Sequence, residues 1–256
     1  MKVLEHNRKA WDKEVSNGNV WTIPVTSEEV ANAKNGEYKL VLTPTKSVPK
    51  EWIGDIKNKK VLCLASGGGQ QGPIFAALGA EVTVLDNCNG QLEKDRMVAE
   101  RDNLTINLEQ GDMRDLSRFE NESFDFIFHP VSNAFVDNID VVWKECYRVL
   151  RKGGVLIAGF GNPIIYIFDL YKWENEKKLE VAYSIPYSDL EQLAKEQLEE
   201  RINNNYTIEF GHTLESQIGG QIEAGFAITG FYEDNAGGDL LDKYIDTFIA
   251  TRAIKL

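Results

Sequence analysis

The chain has 256 residues, 43% of them hydrophobic and 27% charged. This is the size and composition of one globular domain with an appendage, and it excludes collagen-like, coiled-coil and wholly disordered organisation. Twenty-eight Lys and Arg against 40 Asp and Glu give a formal net charge of −12, which repels phosphate backbones and anionic lipid, so neither nucleic acid nor a membrane surface is an expected partner. No apolar run reaches the ~18 residues of a membrane helix; the longest, Val155 to Ile167, is broken by Gly159, Gly161, Asn162 and Pro163.

The first 54 residues read as an arm over a ligand site. They hold three of the five tryptophans, Trp11, Trp21 and Trp52, and the pattern Thr26-Ser-Glu-Glu29, a capping box opening a helix that stops at Gly36. The opening MKVLEHNRKAWDKEV lacks an apolar signal core, so a soluble cytoplasmic protein is expected. From residue 55 strands and helices alternate. Lys60 to Ala65 is a short apolar strand ending in Ser66-Gly-Gly-Gly69, and Pro73 to Gly79 has helical apolar spacing. Glu81 to Leu85 is a second strand stopped by Asp86-Asn87, followed by a helix over Leu92 to Arg101. Asn103 to Leu108 is a third strand ending at Gln110-Gly-Asp112, and Phe124 to Phe128 a fourth, closed by His129-Pro130.

Ile139, Val142, Trp143, Cys146 and Leu150 form a helical stripe ended by Gly153-Gly154, and a fifth strand runs over Val155 to Phe160. Residues 163–205 interrupt the rhythm with aromatic residues, a charge cluster and a helix opened at Ser188, and are expected to be an insertion forming a lid. A helix over Thr213 to Ala224, a strand over Phe226 to Tyr232, a Gly237-Gly238 turn and a strand over Thr247 to Ala253 complete the chain. The last two strands, joined by a short loop, must pair antiparallel. The pattern predicts an α/β, Rossmann-like sheet, mostly parallel, with helices on both faces and a C-terminal antiparallel hairpin. Its ligand is expected at the carboxyl ends of the strands. Cys63, Cys88 and Cys146, spaced 25 and 58 apart, form no CxxC pair, so no metal site is expected and all three read as small buried hydrophobes.

Four segments, in order, resemble the class I S-adenosylmethionine-dependent methyltransferases: Val61 to Gly69, Asp86, Gly111-Asp-Met113, and Phe124 to Asn133 together with Tyr147 to Gly154. The resemblance spans about residues 59–256 and implies a seven-stranded sheet with the last strand reversed. It further implies S-adenosyl-L-methionine as cofactor, bound by Ala65, Ser66, Gly67, Gly69, Asp86, Asn87, Asp112, Met113 and His129. Asp86 matches the position that accepts from both ribose hydroxyls, Asp112 the one that receives the adenine amine, and the Met113 N–H the one that reaches a ring nitrogen. His129 matches the methionine end, where a general-base role ranks below cofactor contact or packing; His6 and His212 fall in expected exposed loops. The sequence departs from the family pattern at Cys63, where an acid is usual, and at Ala65, where the first glycine is usual.

The implied function is methyl transfer to a small, largely apolar acceptor in a pocket built by arm and insertion. Two readings stand beside it. Gly67-x-Gly69-x-x-Gly72 with Asp86 also fits an NAD-dependent oxidoreductase, and a non-catalytic S-adenosylmethionine-binding protein would need the same cofactor residues.

Overall fold

The computed structural model describes residues 2–256. Five parallel strands carry the core: β1 (Lys60–Leu64), β2 (Glu81–Asp86), β3 (Ile106–Gln110), β4 (Phe124–His129) and β5 (Leu150–Gly161). Two further strands, β8 (Phe226–Asp234) and β9 (Phe248–Lys255), complete a sheet ordered β3-β2-β1-β4-β5-β9-β8. β9 is antiparallel to both neighbours, so it alone runs against the sheet, as a strand leaving a short turn must. A separate two-stranded ribbon pairs β6 (Tyr187–Ser188) with β7 (Phe210–Gly211).

The helices are α1 (Val3–Asn17), α2 (Ser27–Lys34), α3 (Lys50–Ile53), α4 (Gln71–Ala77), α5 (Asn89–Asp102), α6 (Ile139–Val149), α7 (Asp189–Gln192), α8 (Lys195–Asn203) and α9 (Gly220–Glu223). None is long and apolar enough to cross a membrane among the described residues. Period-two alternation in β1 divides the core. Leu62 and Leu64 face a cluster containing the α6 stripe Ile139, Val142, Trp143 and Cys146, whereas Val61 and Cys63 face Phe75, Phe126 and Phe128. Cys63 is fully buried there and burial raises its thiol pKa, so at this family-variant position it packs as a small hydrophobe.

The arm divides in two. Ala33, Leu40, Leu42, Val48 and Ile53 belong to the core cluster under β1 and β4, while α1 lies outside, against α5. The expected capping box is present: the Thr26 N–H donates to Glu29 Oε2 at 2.7 Å and the Glu29 N–H to Thr26 Oγ1 at 3.2 Å.

Several boundaries differ from the sequence reading. β3 starts at Ile106 because α5 runs on to Asp102 and turns at Asn103 in a left-handed conformation, φ 53°. The helix expected from Ser188 breaks into α7 and α8, and the inserted region continues past 205 through β7. The helix expected over Thr213 to Ala224 is a π turn at Glu215–Gly219 followed by α9. Gly220 sits so close to Trp143 that an added Cβ would lie 2.8 Å from its ring, which explains a glycine inside that helix.

Candidate active site

The carboxyl ends of β1 to β4 open into a cavity of about 270 Å³, near the usual size for a small-molecule site. Its floor is built by three turns. After β1, Ala65, Ser66 and Gly67 line it; after β2, Asp86 and Asn87; after β3, Gly111, Asp112 and Met113. Ala65 has φ 47°, a left-handed conformation that glycine adopts without strain and alanine does not. The Gly67 Cα passes so near Asp86 and Gln91 that a Cβ would meet the Gln91 Cβ at 2.7 Å. Gly72 is equally tight, 2.7 Å from Val84, and lets α4 close onto β2.

Asp86 accepts the Gly67 N–H at 2.9 Å on one oxygen and the Cys88 N–H at 2.9 Å on the other. Burial raises its carboxyl pKa, and the Asp12 carboxylate adds to the rise, while these N–H donors oppose it. Each oxygen keeps acceptor capacity for a further donor. Asp112 is gripped by Arg114, with Nη2 2.6 Å from Oδ2, and its Oδ1 also accepts the Arg114 N–H at 2.9 Å. Asn87 accepts from Arg8 Nε at 3.2 Å and donates to the Leu4 carbonyl at 2.9 Å, which ties the turn after β2 to α1. Gln91 also lines the cavity, and its Oε1 is buried without a hydrogen-bond partner.

Leu4, Asn7, Trp11 and Trp21 close the cavity from the arm, and the remaining wall is mostly apolar, with Val41, Leu42 and Pro44 from the arm, Pro130, Val131, Phe135 and Val136 after β4 and Phe248 from β9, interspersed with the neutral polar Thr43, Gln70, Gln71 and Ser132. Gln91 and the Val41–Pro44 wall were not singled out in the sequence. Gln91 sits on α5, whose first turn is capped from α1, where Asp12 Oδ1 accepts the Gly90 N–H at 3.1 Å. Sequence proximity carries no signal for a bond across 78 positions.

Two residues expected in the site lie behind it. Gly69 is turned away from the cavity: its N–H donates to Asp95 at 3.0 Å, and Pro24 and Lys94 pack against its Cα. His129 is fully buried, with Nδ1 2.9 Å from the Leu64 carbonyl and Nε2 2.6 Å from Asn133 Oδ1, and it does not line the cavity. Both ring nitrogens are engaged, and burial lowers its pKa, so the ring fastens β4 to β1 instead of facing a ligand. His6 and His212 are not loop residues free for chemistry either. His6 lies buried in α1 against the Tyr206 carbonyl at 2.8 Å, and His212 lies 3.0 Å from the Asn133 and Val136 carbonyls.

Comparison with known proteins decides between the two cofactors that this turn chemistry allows. A family model described as "Methyltransferase domain" matches residues 62–158. The chain is 56% identical over 254 residues to the uncharacterised methyltransferase YbaJ of Bacillus subtilis (strain 168), covering 99% of each chain. It belongs to the class I S-adenosylmethionine-dependent methyltransferases. This methyltransferase is also 31% identical over 136 residues to a sterol 24-C-methyltransferase of Candida albicans, covering 52% of this chain and 35% of that one. Its fold matches an S-adenosylmethionine-dependent methyltransferase from Mesorhizobium loti with TM-score 0.60 at 16% identity, covering 80% of this chain and 94% of that one. S-adenosyl-L-methionine is the cofactor, and the oxidoreductase and non-catalytic readings fall away.

The residues lining the cavity fit that cofactor. The unpartnered Gln91 Oε1, the two cavity-facing carboxylates and the Cβ-free approach at Gly67 make a polar floor for a nucleoside, with room for a chain passing Ala65.

Proposed function

We propose that this methyltransferase acts on a small, largely apolar acceptor held under α1. The observation that carries the reading is the composition of the wall opposite the carboxylates: Val41, Leu42, Pro44, Val131, Phe135 and Phe248 surround it, and no Lys, Arg or His lines the cavity among the described residues. Such a wall favours apolar surface and offers no counter-charge for an acidic acceptor, its polar members Thr43, Gln70, Gln71 and Ser132 being neutral.

In this reading Asp86 accepts from the ribose hydroxyls, Asn87 flanks it, and Asp112 with the Met113 N–H takes the adenine. Ala65, Ser66 and Gly67 hold the methionine end. The bound cofactor supplies a methyl group already activated on a sulfonium. The protein's own contribution is alignment and exclusion of water, and well-oriented partners gain ~7–11 kcal/mol over free encounter. No general base is assigned, because His129 is committed on both nitrogens. Trp11, edge-on to Phe135 at 5.4 Å, and Trp21 complete the roof, so α1 serves as the lid and must shift for cofactor exchange. The sterol-methylating relative supports an apolar acceptor, although its match covers only part of either chain.

A screen with methyl-labelled cofactor over apolar alcohols, thiols, amines and alkenes tests the reading against acidic metabolites and peptides of similar size. Label transfer to apolar members is the expected outcome. Transfer confined to acidic or peptide acceptors overturns it.

A further inference from the structure

A second cavity, about 210 Å³, lies between the inserted segment and the β8–β9 connection and shares only Phe248 with the first. Besides Phe248, five aromatic rings wall it: Tyr166, Phe168, Trp173, Tyr183 and Tyr187. They form two packed groups. Tyr166 and Tyr187 stack with centroids 5.5 Å apart, Tyr183 leans on Tyr187 at 5.2 Å, and Phe168 meets Trp173 edge-on at 5.7 Å.

Charge in this cavity is unbalanced. Three carboxylates, Asp189, Glu209 and Asp239, share the lining with one cation, Arg201. Arg201 is already committed: its Nε lies 3.2 Å from Asp189 Oδ2 and its Nη2 donates to the Thr207 carbonyl at 3.0 Å. Its guanidinium stands 3.7 Å from Glu209, beyond hydrogen-bond distance. Glu209 is held instead by neutral donors, the Tyr166 hydroxyl at 3.0 Å and the Thr207 hydroxyl at 2.9 Å. Asp239 likewise accepts from the Trp173 indole N–H at 2.9 Å. Desolvation raises the Glu209 carboxyl pKa and the neighbouring Asp189 carboxylate adds to the rise, while the nearby Arg201 charge and the Thr207 and Tyr166 hydroxyls oppose it.

Aromatic faces and a surplus of carboxylates over cations, here three to one, attract the same kind of ligand, a cation whose charge is spread over apolar surface. A bare metal ion does not suit the site, since among the described residues no three potential ligands converge. We propose that this cavity is a binding site for a small organic ammonium ion, with the aromatic rings around its alkyl groups and Glu209 as its principal counter-charge. The volume limits the occupant to a small head group. The site is separate from the cofactor floor, and the proposal does not depend on the nature of the methyl acceptor.

Calorimetry on the full chain with choline chloride, against its uncharged carbon isostere 3,3-dimethylbutan-1-ol at matched ionic strength, tests it. Choline should bind with one-to-one stoichiometry and the isostere at least tenfold more weakly. Glu209→Gln and the rim variant Tyr183→Leu should each lower choline affinity at least tenfold while leaving S-adenosylhomocysteine binding unchanged, which shows that the variants are folded. Equal binding of choline and the isostere would reduce the cavity to an apolar hole and overturn the proposal. So would the absence of choline binding in wild-type protein that still binds S-adenosylhomocysteine, or full choline affinity in Glu209→Gln.

Discussion

Ala65 occupies a left-handed conformation at the first turn of the cofactor site, where the family usually has glycine. An alanine there carries roughly 1–2 kcal/mol of local strain, partly offset by the ~0.5–1 kcal/mol that glycine loses in backbone entropy on folding. Ala65→Gly should therefore raise stability by up to about 1 kcal/mol, a Tm increase of about 2–4 °C at this chain length. A lower Tm in a thermal melt would show that the Ala65 methyl contributes more by packing than it costs in strain. Asp95 is the second residue whose behaviour follows from its surroundings. It is fully buried behind the glycine turn, its Oδ1 lacks a partner, and burial pushes its pKa up to about 8. Because the folded protein holds this proton more tightly than the unfolded chain, the contribution to stability is present below pH 3.8 and is lost as pH rises through about 8. Asp95→Asn keeps an acceptor for the Gly69 N–H and removes the charge. Its Tm advantage over wild type should thus be larger at pH 9 than at pH 5, and a difference independent of pH would contradict the assignment.

At the scale of elements, α1 is fastened both to the β2–α5 turn and to the inserted segment. The Asn7 amide, buried in α1, accepts the Ile208 N–H at 2.8 Å and donates to the Ile208 carbonyl at 2.9 Å. Asn7→Ala leaves two main-chain groups without partners and should cost about 2 kcal/mol of local stability. The expected consequence is faster release of S-adenosylhomocysteine in stopped-flow tryptophan fluorescence; an unchanged release rate would show that α1 is not the lid. The sequence predicted an arm over the ligand edge from its tryptophans, and Trp11 and Trp21 line the cavity. It did not predict that Ala33, Leu40, Leu42, Val48 and Ile53 belong to the core, because Leu40, Leu42 and Val48 lie in irregular chain with no periodicity to read. Strands β1, β2 and β4 were legible because short apolar runs end at Gly, Asp or Pro. The helix after Thr213 was legible only in part, since its packing against Trp143 is a tertiary contact that sequence spacing does not encode.

Across the whole molecule the site is a meeting of segments far apart in sequence, and this sets what could be read in advance. Asp86 ends β2 and Asp112 lies two residues past the end of β3, and a parallel sheet places such ends along one edge, where both line the cavity. His129 ends a strand too, yet its ring turns under the edge to reach the Leu64 carbonyl and Asn133, and strand position alone does not fix which way a side chain points. Gln91 became visible only once α5 was seen to lie beside the glycine turn. The net charge of −12 set nucleic acid aside as an expected partner, and the cavity carries the same sign through its two carboxylates.

The central claim is that these two carboxylates hold the cofactor from adjacent strand ends. Calorimetric titration of S-adenosylhomocysteine into wild type, Asp86→Asn and Asp112→Asn measures it directly, with thermal melts confirming that each variant is folded. Hydrogen bonds to a charged acceptor contribute ~1.5–3 kcal/mol each, so both variants should lose at least tenfold in affinity. Wild-type affinity in both folded variants would contradict the account.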